Sequence, residues 1–285
     1  MNTKLVLLTV FVGMSWCYAM ENVGELVKPK RIGIFSDINQ RKQQEDFFYH
    51  DIVDGGHLYV VCDGHYCHRV GEHDNDERDG SLVSKLVARN FHTYFVKTSG
   101  SIEDRMKTTF KAIDEDEFIK SNGQCGSTAV VVFIKYNKAY FAHVGDSRAV
   151  LECGGKVILH TRDHQPNRLD EYFRIQDAGG IICDDKVNGF LSISRAIGDY
   201  NLSKNIIIAE PDYDEMLLTP QHKFLILATD GLWKFVDSDE AVSILHAKRS
   251  QGVDDMNLLA KMLGMFAIKR NSKDNITVML IDLLS

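Results

Sequence analysis

Residues 129–160 read AVVVFIKYNKAYFAHVGDSRAVLECGGKVILH. Four runs rich in Val, Ile and aromatics lie in this stretch: Ala129–Ile134, Lys138–Val144, Ala149–Cys153 and Lys156–His160. Runs of that length and composition, separated by short polar turns, are strands. Gly154-Gly155 is a two-residue hairpin signal. No helix-length segment separates the runs, so the spacing predicts an antiparallel meander and not βαβ crossovers. Outward from it the period changes. Leu82, Leu86, Phe91 and Tyr94 recur at helical spacing, as do Met106, Phe110, Ile113 and Phe118. Ser238 is placed to cap a helix over 239–247, and Met256–Ile268 forms a fourth. Strands and helices in separate blocks predict a layered α+β fold.

A chain of 285 residues with 44% apolar residues and only 4 Pro has a core for one large domain and little from which to make a linker. No repeat or low-complexity tract interrupts it. The net charge of −7 argues against nucleic acid or an anionic membrane as the main partner.

Five acidic segments are scattered over more than half of the chain: Arg41–Asp46, Asp63-Gly64-His65, Gly145–Arg148, Asp230-Gly231 and Asp274-Asn275. Asp63, Asp230 and Asp274 each stand at the edge of an apolar strand-like run. Ionised carboxylates held close together repel, so stability does not explain the placement. A hard divalent cation removes the repulsion and accounts for it.

In order and wording these segments resemble the metal-dependent type 2C protein serine/threonine phosphatases. Cys125–Ala129, Ala178–Gly180, Asn188–Asp199, Ala209–Asp212 and Leu227–Trp233 add to the match, which spans about residues 30 to 284. The resemblance implies a four-layer α-β-β-α sandwich, two antiparallel sheets flanked by helices, with metals in a cleft at one end. A flap-like segment beside the cleft would fall at about 163–187. It also implies hydrolysis of phosphoserine and phosphothreonine by a hydroxide bridging two Mg²⁺ or Mn²⁺ ions. Asp46, Asp63, Asp230 and Asp274 match the family's metal carboxylates, Gly64 its backbone-carbonyl ligand, and Glu45 a position that binds metal through water. Arg41 matches the arginine that grips phosphate, for which a guanidinium fork is suited. His65 matches the candidate general acid, with a purely structural histidine as the alternative. Asp146 matches a position tied to a third, weaker metal, and Asp199 one that orients metal-bound water, holds the flap, or merely caps a loop.

The chain departs from that pattern at three places. Tyr66-Cys67 replaces Gly-Gly after the histidine, and an acidic stretch, Gly71–Gly80, follows as an inserted surface loop. Lys234 stands where the family has an aspartate of the third metal site, which should weaken or abolish that site. Asn39 replaces a glycine, a mild change because Asn tolerates left-handed backbone. Cys62, His65, Cys67, His68 and His73 fit no common structural zinc spacing.

Residues 1–19 carry one charge, Lys4, then the apolar run Leu5–Val12 and the small-residue end Cys17–Ala19. That reads as a secretory signal peptide, with an uncleaved anchor or a buried segment as alternatives, and leaves 20–285 as the phosphatase domain. The expected location is the secretory pathway or outside the cell, with no membrane association once the signal is removed. Five cysteines then remain, an odd number that makes no disulfide framework. Asn201-Leu-Ser203 is a glycosylation sequon, whereas Asn275-Ile-Thr277 adjoins a metal position and should stay unmodified. The partners implied are phosphoprotein substrates, acted on by a monomer. The competing function is a secreted pseudophosphatase, a phosphoprotein-binding module or effector in which Tyr66, Cys67 and Lys234 abolish turnover.

Overall fold

The computed structural model describes residues 29–66 and 79–283. The segment 1–19, Cys67, His68, His73 and most of the 71–80 insertion lie outside the described residues. In chain order the strands are β1 Arg31–Asp37, β2 Asp46–Val53, β3 Gly56–Tyr66, β4 Cys125–Ser127, β5 Ala129–Lys135, β6 Lys138–Val144 and β7 Arg148–Cys153. They continue with β8 Lys156–His160, β9 Ile182–Cys183, β10 Lys186–Val187, β11 Ile197–Gly198, β12 Asp212–Leu217, β13 Phe224–Ala228 and β14 Ile276–Asp282. One sheet has five strands in the order β1-β14-β13-β7-β8. A second has seven, β11-β4-β3-β5-β6-β12 with β2 on the other side of β3. Strand pairing in both is antiparallel.

The sheets face each other and share a core. Val61, Val130, Val132 and Phe141 of one meet Leu151, Leu225, Leu227, Met279 and Ile281 of the other. On the outer side of the seven-stranded sheet lie the helices Ser81–Phe95 and Ile102–Asp114, packing Phe91, Phe95, Met106 and Phe110 against Val60, Val131 and Phe133. The helices Ser238–Ser250 and Met256–Lys269 cover the other sheet through Leu245, Leu259 and Leu263. This is the α-β-β-α sandwich. It explains why β14 carries hydrophobic residues on both of its faces. Ile276, Val278 and Leu280 face the helices while Met279 and Ile281 face the opposite sheet, so both faces of the strand are dry. Each fully buried side chain of this size stabilises by about 1.5–3 kcal/mol.

Three local expectations are corrected. The four-strand meander is two hairpins in different sheets: β5 pairs β6 in one, β7 pairs β8 in the other. The chain changes sheets at Gly145–Ser147, where Gly145 has φ +88° and β6 takes β12 as its second neighbour. Phe118 does not continue the helix of Met106, Phe110 and Ile113. It sits in a separate turn, Glu117–Ser121, 44% exposed, because Asp116 caps a new start. The helix at 238 is capped by Asp237, whose carboxylate accepts from Glu240 N, so Ser238 is its first residue and not its cap. The 163–187 segment folds as a helix, Leu169–Asp177, and the β9–β10 ribbon around a small core of Ile175, Val187, Leu191 and Ile193.

Candidate active site

Four strand ends bring the aspartates to one end of the sandwich. Asp46 opens β2 directly opposite Asp63 on β3. Asp230 follows β13 and Asp274 precedes β14, its hydrogen-bonded neighbour. Asp146 lies in the crossover between β6 and β7. Burial pushes the Asp63 carboxyl well above the ordinary carboxylate range, and the charges of Asp46, Asp230, Asp274 and Asp146 push it further. Asp46 is driven up to about 8 by burial, with Asp230 and Asp274 adding to the rise and the hydroxyls of Thr229 and Thr277 opposing it. Asp146 is likewise raised to about 8 by burial and by Asp230, against the pull of Lys234. A cluster that resists its own ionisation fits a bound cation, whose positive charge offsets the repulsion among the carboxylates.

The orientation of the oxygens fits as well. Asp46 Oδ2 accepts from Thr229 Oγ1 at 2.9 Å, while the buried Oδ1 has no partner. Asp230 Oδ1 is also buried without a partner, and its Oδ2 takes the Lys234 ammonium. Buried acceptors with no donor are rare and call for a ligand. Gly64 needs its bare backbone. A Cβ there would stand 2.3 Å from Gly80 O and 2.5 Å from Ser84 Oγ.

The remaining predicted residues go to more specific places. Arg41 Nη2 donates to Asp274 Oδ2 at 2.8 Å, so its guanidinium lies on the rim of the cluster. Glu45 turns one carboxylate oxygen to the N–H of Gly80, at 2.8 Å, at the start of the helix Ser81–Phe95. Asp199 does not join the aspartates. Both its oxygens lie against His65 Nε2, at 2.9 and 3.1 Å. Burial alone would lower the His65 pKa, but Asp199 outweighs it and the net effect is a rise. Asp199 is therefore the partner of His65.

Some supports are not apparent from the motifs. Asn275 accepts from Glu45 N at 2.8 Å and donates to Ile38 O and Gln43 O at 3.0 Å each, pinning the 38–45 loop over the cluster. It is 3% exposed, and its side-chain amide makes all three of these hydrogen bonds. Thr128 Oγ1 accepts from Asp63 N at 3.0 Å and shares a 2.6 Å hydrogen bond with Ser147. A side chain that bonds residues 65 or 230 positions away leaves no local pattern to read.

A family model described as Protein phosphatase 2C matches residues 39–276. The chain belongs to the protein phosphatase 2C family. A rice protein (Oryza sativa subsp. japonica) described as probable protein phosphatase 2C 45 is 36% identical over 263 residues, 88% of this chain and 87% of its own length. Probable protein phosphatase 2C 59 of Arabidopsis thaliana is 36% identical over 266 residues, covering 89% and 79%. The crystal structure of a serine-threonine phosphatase 2C from Toxoplasma gondii superposes with a TM-score of 0.72 at 25% identity, covering 90% of this chain and 98% of that one. The fold above is thus the phosphatase 2C fold.

A second group in this phosphatase 2C chain has metal-ligand chemistry, His143, His164 and Asp212, whose ligand atoms lie within 4.8 Å of one another. It is a poor cation site. Asp212 already binds Arg195 at 3.0 Å and Arg168 at 3.2 Å. His143 Nε2 donates to Arg162 O at 2.9 Å, and the two rings stack at 4.5 Å. Two guanidinium charges on the only carboxylate repel an incoming ion. A concavity of about 510 Å³ also lies away from the cluster, between the helix Ile102–Asp114 and residues 200–211.

Proposed function

We propose that this chain is a Mg²⁺- or Mn²⁺-dependent protein serine/threonine phosphatase. The observation that carries the reading is the convergence of Asp46, Asp63, Asp230 and Asp274, with Asp46 Oδ1 and Asp230 Oδ1 buried and unpartnered. Those carboxylates and the Gly64 carbonyl would hold two cations. When bound, the pair supplies a water acidic enough to be a nucleophile near neutral pH, and a clamp on the phosphate charge.

The chain's own residues would do the rest. Arg41, on the rim beside Asp274, is within the compass of a side-chain movement that exchanges a carboxylate for a phosphate oxygen, with bidentate geometry available. His65 is 22% exposed at the site, and Asp199 engages its Nε2. That leaves Nδ1 to hand a proton to the departing serine or threonine oxygen. Lys234, bonded to Asp230 and close to Asp146, puts an ammonium where a further cation would have to bind, so the site takes two ions and not three.

The same lysine is what favours the alternative, a binding module without turnover. Entry into the secretory pathway remains part of the proposal on the strength of residues 1–19. Among the described residues no helix is long and apolar enough to cross a membrane.

The test is hydrolysis of a phosphothreonine peptide by the chain from Met20 onward, with Mn²⁺ titrated and EDTA and Asp230→Asn as controls. Turnover that requires metal and disappears in the variant supports the phosphatase. A folded protein that binds Mn²⁺ and turns nothing over supports the binding module.

A further inference from the structure

The partner of His65 sits on a backbone that has no reason to hold its shape unaided. Gly198 has φ +92° and Asp199, which is not a glycine, φ +55°. Two consecutive residues in left-handed territory persist only when their surroundings fix them. A Cβ on Gly198 would lie 2.5 Å from Cys125 O, and one on Gly126 would lie 2.4 Å from both Asp199 Oδ2 and His65 Nε2. The turn is therefore pressed against β4, and the Asp199 carboxylate, fully buried, is pressed onto the histidine.

What fixes the turn comes from elsewhere in the chain. Asp114, the last residue of the helix Ile102–Asp114, accepts from Gly198 N at 2.8 Å through Oδ1. The same oxygen accepts from Lys204 Nζ at 3.0 Å, and Lys204 also donates to Gly198 O at 2.8 Å. Tyr200 OH donates to the Asp114 main-chain oxygen at 2.8 Å. Both polar groups of residue 198 are thus gripped, the N–H by a carboxylate and the C=O by an ammonium. Charge-assisted bonds of this kind are the strong ones, and Asp114 is only 7% exposed.

We propose that Asp114, acting with Lys204, is a positioning residue for the reaction. It holds the Gly198-Asp199 turn in its left-handed form and so keeps the Asp199 carboxylate on His65 Nε2. The proposal rests on the reading of His65 as the proton donor. The hydrogen bonds of Asp114 go to Gly198, Tyr200 and Lys204 and not to the aspartate cluster, so its loss acts on proton donation and not on metal binding.

Leaving-group dependence separates these two effects. A nitrophenolate departs without a proton, whereas a threonine alkoxide needs one. Asp114→Ala and Lys204→Ala are each expected to lower kcat on a phosphothreonine peptide roughly ten-fold relative to kcat on p-nitrophenyl phosphate. The Mn²⁺ concentration giving half-maximal rate should not move. Asp114→Asn, whose amide oxygen still accepts from Gly198 N, should recover most of the ratio. Equal losses on both substrates, or no loss on either, overturn the proposal. Lys204→Ala serves if Asp114→Ala does not fold, since Lys204 is a partly exposed side chain. A crystal structure of the variant decides the matter even if the wild-type chain has no turnover. Asp199 drawn away from His65 supports the clamp, and an unmoved turn overturns it.

Discussion

Thr229→Val removes one oxygen and leaves the shape of a fully buried side chain nearly unchanged, so it isolates what the hydroxyl does. That hydroxyl donates to Asp46 Oδ2 at 2.9 Å and accepts from Thr277 N at 3.1 Å. Losing a hydrogen bond to a buried carboxylate costs about 1.5–3 kcal/mol, and a stranded backbone N–H about 1–3 kcal/mol. Part of this is relieved by protonation of Asp46, already pushed up to about 8 by burial. A net destabilisation of about 2–4 kcal/mol is expected, measured by urea unfolding in EDTA. Thr229→Ser keeps the oxygen and should lose about 1 kcal/mol at most. The same bond fixes the Asp46 carboxylate with its Oδ1 left unpartnered, so the Val variant should also bind Mn²⁺ about ten- to a hundred-fold more weakly by calorimetry. A Val variant as stable as the Ser variant, with unchanged Mn²⁺ affinity, would refute the claim that Thr229 aims the carboxylate.

Two further outcomes follow from the geometry. Gly64→Ala places a methyl group 2.3 Å from Gly80 O and 2.9 Å from Glu45 O, both backbone, and should cost about 2 kcal/mol or more in thermal unfolding while weakening Mn²⁺ binding. Glu171, 1% exposed, gives a pH dependence: burial would raise its pKa, but the hydrogen bonds from Arg195 and Arg174 prevail and hold it at about 2, against an ordinary 4.5. A depressed folded-state value means that the stabilisation, about 3 kcal/mol, is complete above pH 4.5 and is lost as the pH falls toward 2. Glu171→Gln should therefore be markedly less stable than wild type near neutral pH, with the gap closing in acid. A gap of the same size at both ends of the titration would count against it.

The features legible in the sequence were those written in local pattern. Lys138–Val144 and Lys156–His160 appear as strands over the expected bounds because alternation and β-branched content are properties of a few consecutive residues. The Asp230–Trp233 turn and the Asp63-Gly64-His65 segment could be matched by wording alone. The sheet to which each hairpin belongs was not legible, because β6 and β7 are both buried and apolar, and only the turn at Gly145 separates them. The helix Ser81–Phe95 was foreseen, but its buried face is set by Val83, Val87, Phe91 and Phe95, with Leu82 and Leu86 at the edge. An apolar stripe this wide does not say which side meets the sheet. Asp199 is tied to the site by contacts remote in sequence. Its carboxylate meets a histidine 134 positions earlier, through a turn held by a helix end 84 positions before Gly198. Nothing near Asp199 in the chain records either contact.

We propose the aspartate cluster at the end of the sandwich, and not the histidine group at Asp212, as the cation site, with room for two ions. Anomalous diffraction from crystals grown with Mn²⁺ tests it most directly. Two neighbouring peaks enclosed by Asp46, Asp63, Asp230, Asp274 and the Gly64 carbonyl are expected, with none between Asp146 and Lys234. A single peak, a third peak beside Asp146, or manganese bound at His143 and His164 would contradict it.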